Sequence, residues 1–173
     1  MARASIDIGS NSMVLLVTDE DGGLLHDETA IVGLGKGLGP NAGFRSDRMD
    51  AALAVFERFQ VRCIGFGIPP SNIVSIATSA SRRATNASEF YADVHKKTGI
   101  TVTIVSGLKE AELTWRGALL GLPIQNSAYA VVDLGGGSTE VVYGDLKSDQ
   151  PVQPRSLEIG TVRLTESFFG ANP

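Results

Sequence analysis

A single cysteine, Cys63, occurs among the 173 residues. A lone thiol closes no intrachain disulfide. With neither a C-x-x-C pair nor a His/Cys cluster around it, it offers no zinc pattern either, so Cys63 reads as a core thiol. Long apolar runs are missing too. The longest, residues 13–17 and 128–132, are strand-sized and fall far short of the roughly 20 residues a membrane-spanning helix needs. The opening apolar stretch is broken by Asp7, which excludes a secretory signal pattern, and we expect a cytoplasmic protein with no membrane partner. A basic excess is absent: 15 Lys and Arg stand against 19 Asp and Glu, a net charge of −4, which argues against nucleic acid as a partner. An anionic ligand would have to be held by backbone amides or a metal. What remains, 43% hydrophobic and 20% charged residues, is the composition of an ordinary globular chain.

Apolar runs and turn residues predict three antiparallel strands over residues 5–9, 12–18 and 24–32, the last two joined by the Asp19-Glu20-Asp21-Gly22-Gly23 turn. Residues 33–43 are glycine-rich and read as a loop. Met49, Leu53, Phe56, Phe59 and Cys63 recur at helical spacing and predict a helix over 46–66 with a core-facing stripe. A strand at 73–77 follows, then a helix at 86–97 capped by Asn86 and ended by Gly99. A strand at 100–105 and a helix capped by Ser106 and running to about Leu120 complete a βββαβαβα series. Such a series gives an α/β domain with a mixed sheet whose later strands are parallel. The Pro123 to Ser127 stretch marks a boundary, giving a first domain at 1–124 and the beginning of a second at 125–173. That second domain would hold strands at 128–134, 139–143 and 152–159 and a helix at 161–169.

The second start repeats the first. Ile6-Asp7-Ile8-Gly9-Ser10-Asn11-Ser12 aligns with Val132-Asp133-Leu134-Gly135-Gly136-Gly137-Ser138 at an offset of 126, the distance from Asp7 to Asp133. Each copy is an apolar strand, an Asp near its end, a turn of small residues and a Ser opening the next strand. A turn without bulky side chains lets consecutive N–H groups face an anion, Ser adds a hydroxyl donor, and an adjacent Asp can coordinate Mg²⁺. Two such turns in duplicated domains imply a phosphate chain lying across a cleft, as in the actin-like, ribonuclease H-like (ASKHA) superfold. The candidate phosphate-binding residues are therefore Gly9, Ser10, Asn11, Ser12, Gly135, Gly136, Gly137 and Ser138. The stretch Gly33-Leu34-Gly35-Lys36-Gly37 fits neither G-x-G-x-x-G nor G-x-x-x-x-G-K-[ST] and carries no Rossmann or P-loop weight.

These strings, with Thr78-Ser79-Ala80-Ser81-Arg82-Arg83-Ala84, Ser106-Gly107 with Glu110-Ala111, Thr139-Glu140 and Ile159-Gly160-Thr161-Val162-Arg163-Leu164-Thr165-Glu166, resemble the exopolyphosphatase and guanosine pentaphosphate phosphatase (Ppx/GppA) family. The resemblance implies that Glu110 is the catalytic glutamate handling the attacking water, that Asp133 and Glu140 lie near a divalent ion, Mg²⁺ or another, and that Arg82 contacts phosphate. Read from the residues alone, a dipole-favoured carboxylate is the plainer reading of Glu110 in a first helical turn, and a surface ion-pair partner the plainer reading of Arg82. Glu140, two residues after Ser138, would share a strand face with it, and a solvated face is the plainer reading there. The chain departs from the family at Val32-Gly33-Leu34-Gly35, where an arginine commonly precedes Leu-Gly.

The expected activity is hydrolysis of terminal phosphoanhydride bonds of inorganic polyphosphate, with guanosine pentaphosphate as the rival substrate. A kinase of the same superfold is a further alternative. Because the second domain stops after three strands and a helix, a non-catalytic phosphate-binding piece, or a homodimer completing the second sheet, stays open.

Overall fold

Strand alternation builds the first sheet. In β1 (Arg3–Ile8) Ala4, Ile6 and Ile8 are buried while Arg3, Ser5 and Asp7 are exposed. In β2 (Ser12–Thr18) Met13, Leu15 and Val17 are buried, and the antiparallel register sets Ile6 against Leu15 and Ile8 against Met13. One face of the pair is therefore wholly apolar. The computed structural model describes residues 1–122, 128–145 and 153–170. Within these, β3 (Leu24–Ile31) pairs antiparallel with β2, while β4 (Ile73–Ala77) and β5 (Val102–Ile104) run parallel to β1, giving the order β3-β2-β1-β4-β5. The parallel edge follows from the strand–helix–strand connections that the sequence predicts.

The apolar face is covered by α1 (Ser46–Gly65) and α3 (Ala87–Thr98). From α1 it receives Ala52, Val55, Phe56, Phe59 and Cys63, and from α3 Phe90, Tyr91 and Val94. Met49 and Leu53 of the expected stripe sit at its half-buried margin. Burial raises the pKa of the Cys63 thiol, in keeping with a core role. An unexpected five-residue helix, α2 (Ser79–Arg83), stands between β4 and α3. It is locked to α3 by a 2.7 Å hydrogen bond between the Ser81 hydroxyl and the Tyr91 phenol, whose pKa burial raises further above its ordinary value. The strand expected at 100–105 shrinks to three residues.

The second sheet is antiparallel, in the order β6 (Ala128–Leu134), β7 (Thr139–Asp145), β8 (Gln153–Leu157), followed by α5 (Thr161–Phe169). Its covering helix is α4 (Gly107–Leu119), capped as expected by the Ser106 hydroxyl accepting from the Lys109 N–H at 3.2 Å. Ala111 and Trp115 of α4 pack on Val142 of β7, and Gly144 lies so close to Trp115 that a Cβ there would meet the indole at 2.6 Å. The chain accordingly divides into two compact units, Met1–Ile104 and Val105–Pro173. Helix α4, which the sequence reading puts at the end of a first domain closing at residue 124, packs on the second sheet. The expected boundary stretch, residues 123–127, lies outside the described residues. No described helix is long and apolar enough to cross a membrane.

Asn86 departs from its expected role. It precedes α3, but its side chain does not cap the helix. Its Oδ1 accepts from the Phe44 N–H at 2.7 Å and its Nδ2 donates to the Phe44 carbonyl at 3.1 Å, fixing the far end of the glycine-rich loop. Asn86→Ala leaves a half-buried peptide unpaired and should destabilise the fold by about 1–3 kcal/mol. A lower urea midpoint at an unchanged slope is the expected reading; an unmoved midpoint would mean that water replaces the amide.

Candidate functional site

In both units the loop between the first two strands has its carbonyls tied and its amides open. In the 9–12 turn the Gly9 N–H closes on the Ser12 carbonyl at 2.9 Å; in the 135–138 turn the Gly135 N–H closes on the Ser138 carbonyl at 3.0 Å. A Cβ on either glycine would meet that same carbonyl, at 3.2 and 3.1 Å. The turns are thus copies in geometry as well as in sequence. Two further carbonyls of each turn are pulled away by neighbouring segments. Ser10 O accepts from the Gly35 N–H at 2.7 Å, and Asn11 O accepts from Val32 and Gly33 at 2.9 and 2.8 Å. In the second unit Gly135 O accepts from Thr161 at 3.0 Å, and Gly136 O from Val162 and Arg163 at 3.0 and 3.1 Å. The amides of Ser10, Asn11, Gly136 and Gly137 meet no acceptor among the described residues. Backbone donors held this way form an anion-binding concavity.

Around the first turn the ends of β1 and β4 are clamped by the Thr78 N–H and hydroxyl, which donate to the Ile8 carbonyl at 3.2 and 3.3 Å. Gly35 packs between Ser10 and Ala80, where a Cβ would lie 3.1 and 3.2 Å from theirs. The hydroxyls of Ser10 and Ser79 are buried without a hydrogen-bond partner among the described residues. Natural folds rarely leave such groups orphaned, and an absent anion or water is the usual explanation. Arg82, half-buried on α2, stands at the same end of the sheet as the turn. Sequence reasoning gave Ser79 no role, although it lies in the string that carries the family resemblance.

In the second unit Asp133 and Glu140 are direct cross-strand partners, so their side chains share one face, the face that α4 covers. Their environments differ sharply. Glu140 is only 2% exposed and its Oε1 accepts from the Ser156 hydroxyl at 2.7 Å, so the solvated strand face expected there is not what the fold makes. Asp133 is exposed, with the Thr114 hydroxyl 3.5 Å from its Oδ2. Glu110 precedes Thr114 by one helical turn, beside Ala111, and is half-buried. The second unit therefore pairs Asp133 with Glu140 next to the 135–138 turn and carries Glu110 on the helix that covers them. Ser156 and Thr114, which hold the two acids, carry no signal in the sequence.

No group of three or more His, Cys, Asp or Glu side chains among the described residues is placed to hold a metal ion. The described residues thus form no cage made of protein alone. An exposed carboxylate beside an anion-binding turn fits an ion such as Mg²⁺, which keeps several waters and binds through one or two carboxylates plus phosphate oxygens.

The profile of the Ppx/GppA phosphatase family matches residues 16–173. The chain belongs to the Ppx/GppA phosphatase family. Exopolyphosphatase 2 of Mycobacterium tuberculosis is 35% identical over 182 residues, spanning 98% of this chain and 56% of that protein. The crystal structure of an exopolyphosphatase from Cytophaga hutchinsonii superposes with a TM-score of 0.89 at 31% identity, covering 97% of this chain and 54% of that one. The chain therefore spans about half the length of the exopolyphosphatases it matches. A more distant likeness, to the ethanolamine utilization protein EutJ of Carboxydothermus hydrogenoformans, has a TM-score of 0.56 at 16% identity and speaks to the fold alone, which is the actin-like α/β architecture.

One contact makes the second turn of this family member testable. A Cβ on Gly160 would collide with the backbone of Gly136 and Gly137, at 2.5 Å from the Gly137 nitrogen, and backbone has nowhere to go. Gly160→Ala should displace the Gly136 and Gly137 amide resonances, while Gly65→Ala, with open space around it, should not. Unmoved resonances in Gly160→Ala would show that the close approach does not shape the turn.

Proposed function

We propose that this chain carries the phosphate-binding portion of a phosphoanhydride hydrolase that removes orthophosphate from the end of inorganic polyphosphate. The observation that carries the reading is the matched pair of turns with tied carbonyls and open amides. Family membership and the exopolyphosphatase relatives support it.

In this reading the 135–138 turn receives the terminal phosphoryl group, its amides offsetting the charge that gathers on the non-bridging oxygens. Glu110 orients a water and accepts its proton as the water oxygen bonds to phosphorus. The bond from that phosphorus to the bridging oxygen breaks, and the products are orthophosphate and a chain one phosphate shorter. Glu140, buried and hydrogen-bonded to Ser156, positions the strand end rather than meeting substrate. Asp133 would be the residue to hold Mg²⁺, which when bound supplies charge neutralisation at phosphate oxygens. The 9–12 turn, with the orphaned hydroxyls of Ser10 and Ser79 and the Arg82 guanidinium at its end of the sheet, is a phosphoryl site of the same kind. Guanosine pentaphosphate ends in the same bond, and comparing orthophosphate release from the two substrates separates them.

The chain's coverage of its relatives gives the test a second edge. Orthophosphate release by the 173-residue chain, lost on chelation and reduced about 10²- to 10⁴-fold in Glu110→Gln, is the expected result. Release that survives Glu110→Gln removes Glu110 from its role; binding of phosphate with no release under any condition would leave a chain that binds without catalysing.

A further inference from the structure

The row of residues that crosses the second sheet beside its turn differs in kind from the row that crosses the first. The pairing registers set Asp7, Val14 and Thr29 side by side in β1, β2 and β3, and Asp133, Glu140 and Ser156 side by side in β6, β7 and β8. The aspartate is kept. Its neighbour is a half-buried valine in the first unit and, in the second, a glutamate only 2% exposed. The scaffold therefore accepts an apolar side chain at this place, and burying a carboxylate there costs stability that the fold alone does not require. A breach of the burial rule in a chain that otherwise obeys it belongs at a functional site.

Ser156 is placed to hold that carboxylate. Its hydroxyl donates to the Glu140 Oε1 at 2.7 Å, a short and well-formed bond. The donor has little freedom to move, because the chain beyond it is fastened on both sides. The Thr139 hydroxyl, one residue before Glu140, donates to the Ile159 carbonyl at 2.6 Å, and the Thr161, Val162 and Arg163 N–H groups are tied to the Gly135 and Gly136 carbonyls. Asp133 has the opposite surroundings: it is exposed, with the Thr114 hydroxyl 3.5 Å from its Oδ2. Two carboxylates directly opposite one another on antiparallel strands repel. One of this pair is pinned by a buried hydrogen bond, and the other stands where a divalent ion can reach it. The hydrogen-bonded groups around a cation's ligands set its affinity nearly as strongly as the ligands themselves. We infer that Ser156 is a positioning residue for divalent-cation binding at Asp133: it holds the Glu140 carboxylate in place beside Asp133, so that the cation meets two carboxylates rather than one. This rests on the proposed reading of Asp133 as the residue that holds Mg²⁺.

The test is binding of Mn²⁺ to the 173-residue chain, followed by loss of the free ion's electron paramagnetic resonance signal; Mn²⁺ takes the same oxygen ligands as Mg²⁺. Ser156→Ala should weaken binding about 10- to 100-fold, and Ser156→Thr, which keeps the hydroxyl, should bind as the wild type does. Glu140→Val puts the first unit's residue in place and leaves no buried carboxylate in need of a donor, so it folds without the hydroxyl. It should show the same loss, and Ser156→Ala made in that background should add nothing to it. Ser167→Ala, which removes an exposed hydroxyl bonded to the Arg163 carbonyl at 2.8 Å, should leave the affinity as it is. Wild-type affinity in Ser156→Ala or in Glu140→Val would overturn the role of Ser156 while leaving Asp133 its own, and so would a further loss on adding Ser156→Ala to Glu140→Val. A wild-type chain that binds no Mn²⁺, or an affinity unchanged in Asp133→Asn, would overturn the reading of Asp133 and the role of Ser156 with it.

Discussion

The constraint on which the structure turns is that a peptide amide can serve an anion only if nothing else has claimed it. A loop of four residues contains its own acceptors, and left to itself it closes on them. Here each turn makes one internal hydrogen bond, from Gly9 to Ser12 or from Gly135 to Ser138, and two of its other carbonyls are drawn off by a separate segment. The first unit uses the glycine-rich loop for this and the second uses the start of α5. The helix N-terminus that might itself have bound an anion is spent on Gly135 and Gly136, with Gly160 permitting the contact.

The same device is supported from opposite sides in the two units. Ile6, Ile8 and Val17 are essentially buried under α1 and α3, whereas the residues that match them at an offset of 126, Val132, Leu134 and Tyr143, are 64%, 61% and 50% exposed. The second sheet instead buries its other face, bearing Glu140 and Val142, under α4. That choice brings Thr114 over Asp133 and turns Glu140 from a surface carboxylate into a buried, hydrogen-bonded one. A change of covering layer, with the turn itself held constant, distinguishes the chemistry available at the two sites.

Much of this was legible in the residues because it is local. Short apolar runs mark β1, β2 and β4, the helical stripe marks α1, and the Asp-x-Gly-x-x-Ser repeat marks both turns. What escaped was long-range or competitive. Asn86 has the right residue type for a cap, yet the Phe44 peptide, 42 residues away, offers it two hydrogen bonds at once. Ser156 and Thr114 are ordinary residues until pairing and packing set them against Glu140 and Asp133. Helix α4 follows β5 in the chain but packs on Val142 and Gly144 of β7, a strand not yet reached, so chain order alone does not show which sheet it covers.

The central claim is that the two turns are matched anion sites. Anomalous diffraction from crystals soaked in tungstate, a tetrahedral oxyanion like phosphate, tests it most directly. The account predicts a peak within hydrogen-bond distance of the Ser10 and Asn11 amides and another at Gly136 and Gly137. Tungstate bound elsewhere with both turns unoccupied would contradict it.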